Sequence, residues 1–300
     1  MSRISDMTSA FRRKYRTPRA RINLILLTLC VILVLLFIFL PVYWLVISSI
    51  STRSELLSVP IHWIPENPTL QNYFSVLLPG SAETEVARTF KITLRNSLVI
   101  AGSVTAISLV IGSLAAYALV RIRFRFYGVL LIFIIGTRMI PEVSLVIPLY
   151  ILATRIGIYN TPIVLIAAYL CFALPFAIWL IAAFFQTIPL ELEDAARIDG
   201  CSRLRTLFQI IMPISAPGLV STALFVFLLA WDEFFFALIF TSTVAAKTVP
   251  VAIAEFTGRY VVDVTGMMTG GVLAAIPPVV LALIFQRYIV SGLTAGAVKG

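Results

Sequence analysis

The chain runs to 300 residues, 60% of them hydrophobic and only 12% charged, with a mean hydropathy of +1.01. Water-soluble domains are roughly half apolar, so this composition excludes a soluble globular domain and implies a protein with several membrane spans. A formal charge of +9 points to nucleic acid only where a soluble basic face also carries base-reading or stacking groups, and three cysteines (Cys30, Cys171, Cys201) with one histidine (His62) make neither a disulfide framework nor a metal site.

Residues 1–23 form a basic arm, and the first apolar run follows at 24–50. That run is too long for a signal-peptide core and lacks a small-x-small cleavage site after it, so it is expected to remain as a span. Residues 51–93 form a connector whose "VPIHWIPENPTLQNYF" carries prolines and the lone histidine, which suits an extended, partly ordered link. Five further apolar stretches lie at 94–119, 127–150, 161–185, 217–241 and 266–288. Each is near or above the ~20 residues that cross a ~30 Å hydrocarbon core. The expected fold class is therefore an all-α membrane protein of six transmembrane helices.

Six spans place both ends of the chain on one side. Counted over the connecting segments, fifteen of the 23 Lys and Arg residues fall on the side of the N-terminus, seven on the other, and Arg138 inside a span. Cytoplasmic loops carry the cationic excess, so both termini, and the segment 189–213 between spans four and five, are expected in the cytoplasm.

Span three holds two charges, Arg138 and Glu142, spaced i,i+4 around Pro141. A charge at a helix centre costs about 2.5–3.5 kcal/mol on insertion scales. The spacing predicts an ion pair along one helix face, with a structural or a pathway-lining role both open. Span five holds Asp232 and Glu233 in "WDEFFFAL".

The segment "ELEDAARIDGCSRL" (191–204) is polar and short between two apolar spans. Pro189 suits a first helical turn, Gly200 a left-handed helix stop, and Ser202 the N-cap of a second helix. Leu204, Leu207, Phe208 and Ile211 then fall at i, i+3, i+4 and i+7, predicting one apolar face. Two short helices make a knob that either enters a groove on another protein or lies on lipid headgroups. The chain has no Gly-Lys pair, hence no phosphate loop for ATP, and one histidine leaves a Ser-His-Asp or metal-hydrolase site without support. No catalytic residue and no cofactor is expected.

"IPLELEDAARIDGCSRLRTLFQIIMPISAPGL" resembles the EAA loop of bacterial ATP-binding-cassette importer permeases, an E-A-A triplet followed by a D-G pair and an apolar helix closed by I-x-x-P. "NPTLQNY", "RNSLVIA", "AAYALVR", "IPLYILATRIGIYNT", "LPFAIWLIAAFF", "WDEFFFAL" and "GLTAGAVKG" extend the resemblance to the carbohydrate branch, the maltose/trehalose-type permeases, from about residue 60 to the end.

The resemblance implies a sugar-importer permease subunit in a bacterial inner membrane. Its implied partners are a second permease, two ATPase subunits that hydrolyse ATP in its place, and an extracytoplasmic sugar-binding protein. It would form half the pathway within a core of residues 94–291. ATPase coupling is implied for Glu193, Asp194, Ala195, Ala196, Asp199 and Gly200. Asp194 stands at the motif glutamate, one methylene shorter and with Glu193 adjacent, so which carboxylate meets the ATPase is open. Trp231, Asp232, Glu233 and Phe234 are pathway candidates, an aromatic wall with carboxylates for sugar hydroxyls, although helix-to-helix hydrogen bonding fits them equally. The tail 292–300 would approach the ATPase dimer interface, and the loop near 242–270 the binding protein. An alternative is an ion-coupled secondary transporter using Glu142 and Asp232.

Overall fold

Long apolar runs have no water in the bilayer to satisfy their backbone and must close its hydrogen bonds internally, as helices do. The computed structural model describes residues 18–78, 85–122, 126–258 and 262–297, with the backbone alone at 18, 20, 21 and 289–297. The basic arm up to residue 17, Arg123, Arg125, Arg259 and the last three residues of the tail lie outside the described residues. The chain divides into two units, Met1–Leu70 and Gln71–Gly300.

In the first unit, α1 (Pro18–Ile50) is apolar on every face, with a mean hydropathy of 3.2 over its most apolar 18 residues. A capping box between Thr52 and Glu55 starts the short α2 (Arg53–Leu56). The connector after it is held by specific contacts. Glu55 accepts from the backbone and side-chain nitrogens of Asn67 at 2.8 and 3.2 Å. The Tyr43 hydroxyl donates to the Trp63 carbonyl at 2.8 Å, and the Trp44 and Trp63 rings meet edge to face at 5.3 Å.

The second unit comprises α3 (Gln71–Leu77), α4 (Glu85–Arg121), α5 (Tyr127–Gly136), α6 (Glu142–Arg155), α7 (Pro162–Phe185), α8 (Glu191–Ile198), α9 (Arg203–Ile214), α10 (Ala216–Trp231), α11 (Phe235–Phe240), α12 (Val249–Glu255) and α13 (Val264–Ala297). At its centre α4 packs along α7, and α10 packs on both. Small residues permit the approach. A Cβ at Gly112 of α4 would stand 3.3 Å from Ile181 and 3.4 Å from Ala177 of α7, and Ala116 one turn on is fully buried. The core around this pair contains Tyr169, Phe172, Ile181, Phe185, Phe236 and Phe240.

Two expected spans are not single helices. Span three is α5 and α6, bent by 89°. Pro141 at the N-cap of α6 stops the preceding helix, whose last turn, Thr137–Met139, tightens to 3-10 geometry. Span five is interrupted at residues 232–234, between α10 and α11, and α10 is itself bent by 82° from α9. Among the described residues, four helices are long and apolar enough to cross a bilayer unbroken: Ile22–Ile50, Glu85–Arg121, Pro162–Phe185 and Val264–Tyr288. The helix that carries span two, α4, extends ahead of the apolar stretch that begins at 94, starting at Glu85.

Candidate functional site

The hairpin forms, with α8 beginning at Glu191 and Pro189 just ahead of it. Asp199 is its C-cap and Gly200 follows with φ +78°. The Cys201 N–H donates to the Ala196 carbonyl at 2.9 Å and the Gly200 N–H to the Arg197 carbonyl at 3.0 Å, the two bonds of a Schellman closure. The Ser202 hydroxyl accepts from the Arg205 N–H as N-cap of α9.

The apolar face expected of α9 is split. Leu207 and Ile211 are fully buried in the core, whereas Leu204 and Phe208 are exposed. A π-helical turn over Leu207–Ile211 shifts the side-chain register, so the 3.6-residue spacing no longer holds them on one face.

On α8, Glu193 and Ala196 point inward, while Asp194, Ala195, Arg197, Ile198, Asp199 and Gly200 are exposed. Glu193 forms an ion pair with Arg121 at the end of α4, 2.6 Å from Nε to Oε1, with side chains 2% and 6% exposed respectively. The Tyr117 hydroxyl donates to Glu193 Oε2 at 3.1 Å. Arg121 Nη2 also donates to the carbonyls of Phe185 and Ile188, at 3.1 and 2.9 Å, where α7 ends. Of the two adjacent carboxylates, the one that faces outward is that of Asp194, which among the described residues pairs with Arg197 of its own helix, at 3.3 Å on the surface.

The break in span five sorts the four residues of "WDEF" by direction. Glu233 caps α11, accepting from the N–H groups of Phe236 and Ala237 at 2.7 and 3.2 Å. Trp231 is buried, stacked on Phe227 at 5.5 Å and donating to the Ala274 carbonyl. Asp232 and Phe234 are exposed and, with an edge of Trp231, line a cleft of about 670 Å³ between the break, α12 and α13. A glycine and two alanines of α13, Gly271, Ala274 and Ala275, form its far wall.

Arg138 and Glu142 do not pair. The bend at Pro141 turns the two side chains apart, and Arg138 instead donates to the Phe172 carbonyl at 2.6 Å and lies over the Phe176 ring at 5.6 Å. Pro175 lies inside α7 at this turn, where it withholds a backbone donor. Glu142 is exposed.

Residues 108–295 match the family described as binding-protein-dependent transport system inner membrane component. The chain belongs to that family. This permease is 41% identical over 277 residues to the trehalose/maltose transport system permease protein MalG of Thermococcus litoralis, covering 92% of the chain and 97% of the relative. It is 39% identical to the trehalose transport system permease protein SugB of Mycobacterium tuberculosis, covering 87% and 92%. Its fold matches a chain of a bacterial transporter that imports the polysaccharide alginate, with a TM-score of 0.79 at 20% identity, covering 91% of this permease and 99% of that chain.

Several contacts of the permease escaped the sequence reading. Asn160, at φ 57°, accepts from the N–H groups of Ser242 and Thr243 at 2.9 and 3.0 Å and donates to the Thr243 hydroxyl. Asn96 donates to the carbonyls of Val244 and Lys247, and Ser97 accepts from the Val249 N–H at 2.8 Å. Together they clamp the loop after α11 to the start of α7 and to Asn96 and Ser97, about three turns into α4. "RNS" and "YNT" carried the only signal, polar residues at the ends of apolar runs, and their partners lie far along the chain.

The altered partnership of Arg138 has a measurable consequence. Arg138→Met removes a charge-assisted hydrogen bond of about 1.5–3 kcal/mol and is expected to lower the melting temperature in detergent. Glu142→Gln should leave it unchanged. Equal losses from the two changes would restore the i,i+4 pairing.

Proposed function

We propose that this permease is the sugar-importing subunit of an ATP-driven transporter, docking on separate ATPase subunits through the exposed face of α8 and the turn at Gly200. The reading rests chiefly on that hairpin: α9 is rooted in the core by Leu207 and Ile211, while Asp194, Ala195 and Asp199 stand free of it. Of the two adjacent carboxylates, Asp194 is the one for a cationic ATPase residue, because Glu193 is occupied by Arg121. ATP hydrolysis belongs to those subunits. The names of the relatives, trehalose and maltose systems, support sugar as substrate, a second permease and a binding protein as further partners, and a bacterial-type inner membrane as location. Membership of a binding-protein-dependent family leaves the ion-coupled alternative without support.

The path for sugar runs past the cleft at Asp232, where a carboxylate accepts hydroxyl protons beside the Phe234 ring. Glu233 shapes the break by capping α11, and Trp231, otherwise buried, offers the cleft only an edge.

Asp194→Lys is the direct test of docking. It sets like charges together at the interface, a cost that recognition sites use against wrong partners, and should reduce recovery of ATPase subunits with the tagged permease while membrane insertion is unchanged. A hairpin resting on anionic lipid would bind more tightly with the added cation, and normal ATPase recovery would overturn the docking reading. Sidedness is checked separately. A reporter active only in the cytoplasm should give signal when fused after Leu204 and none near Pro68; the reverse pattern would invert the topology.

A further inference from the structure

We propose that Arg121 is a positioning residue for transport, the strut that makes α8 move as one body with the cytoplasmic ends of α4 and α7. The proposal rests on the docking reading above and specifies how a push on the hairpin reaches the spans. Arg121 is the only described side chain at the base of the hairpin that bonds three elements at once: its own helix α4, the end of α7 through the Phe185 and Ile188 carbonyls, and α8 through Glu193. Tyr117, one turn earlier on α4, holds the second carboxylate oxygen.

The chemistry of this contact differs from that of the surrounding core. Apolar packing is non-directional and lets helices slide, as at a shear contact. A guanidinium presents its donors in a fixed planar fork, and here that fork meets two carbonyls and a carboxylate. Tilting α8 away would leave a carboxylate and a guanidinium buried and uncompensated, which is strongly unfavourable. The hairpin therefore cannot swing on its own turn. Flexibility is left to the bend at Pro141 and the break at 232–234, which single hydrogen bonds from Arg138 and Trp231 join to their neighbours and where the described residues form no buried ion pair.

The experiment measures the body directly and requires no knowledge of the sugar. In a variant with Cys30, Cys171 and Cys201 replaced, spin labels are placed at Leu192, 41% exposed in the first turn of α8 and at the end away from the docking turn, and at Val110, 56% exposed on α4. Distances between them are read in the transporter co-purified with its ATPase subunits, before and after trapping with MgATP and vanadate. One narrow distance, unshifted by trapping, is expected in the parent. In Arg121→Met it should broaden and shift on trapping.

Because a lone buried Glu193 can impair folding, Arg121→Met/Glu193→Met is measured as well; replacing both members of a buried pair by apolar residues is often neutral for stability. At unchanged melting temperature it should still broaden and shift, an effect that lost stability cannot produce. Rescue by Arg121→Lys should be incomplete, since one ammonium cannot reproduce the fork. A parent distance that shifts on trapping, or a double variant as narrow and unshifted as the parent, overturns the strut. Absence of ATPase from the purified parent instead overturns the docking reading.

Discussion

Gly200→Val is expected to cut ATP-driven uptake about ten-fold, with the permease still inserted and folded. The glycine sits at φ +78°, and a Cβ there would meet nothing within 4 Å. Space is therefore not the obstacle, and the cost is purely one of backbone. A β-branched residue resists the left-handed region by roughly 1–2 kcal/mol or more, and about 1.4 kcal/mol is a factor of ten in an equilibrium. The Schellman bonds from Gly200 and Cys201 open, α8 loses its angle to α9, and the exposed face no longer fits its groove. Gly200→Asn is the control, because asparagine tolerates this conformation and should retain most uptake. Transport into vesicles and recovery of ATPase subunits read the effect. Equal uptake by the valine and asparagine variants would show that the turn does not set coupling.

Gly218→Ala should destabilise the membrane core itself. A Cβ at Gly218, in the first turns of α10, would stand 2.3 Å from Phe184 Cγ and 2.5 and 2.6 Å from the adjoining ring carbons. Cγ is the root of the ring, so rotating Phe184 does not clear it, and α10 must back away from α7. Overpacking of this kind costs about 1–3 kcal/mol. A lower melting temperature in detergent is the expected result, partly restored by Phe184→Ala, which removes Cγ, in the same chain. Gly102→Ala on α4 is the matched control: nothing lies within 4 Å of its Cβ position, and alanine favours a helix over glycine by about 1 kcal/mol. If Gly218→Ala melts with the parent, the close approach of α10 to α7 is not what the glycine serves.

The sequence alone determined the features that depend on neighbouring residues. Apolar runs of span length became helices because a helix satisfies its own backbone in lipid within one segment. Gly200 and Ser202 ended and restarted the hairpin helices because a left-handed stop and an N-cap are matters of one residue and the next turn. The absence of a Gly-Lys pair excluded a phosphate loop just as locally. What the tertiary structure decided is where side chains found partners. Arg138 and Glu142 had the spacing of an ion pair, but the 89° bend at Pro141 removed the helix that the spacing assumes, and a carbonyl and a ring of α7 took the guanidinium instead. Glu193 and Asp194 are chemically near-equivalent in sequence. Their fates separated because adjacent helical residues point about 100° apart, which turned one toward Arg121 and the other toward solvent. Asn160 and Asn96 likewise gained their roles only when folding brought the loop after α11 against them. Local chain geometry fixes periodicity and caps, whereas a buried polar group settles on whichever partner the packed helices place within reach.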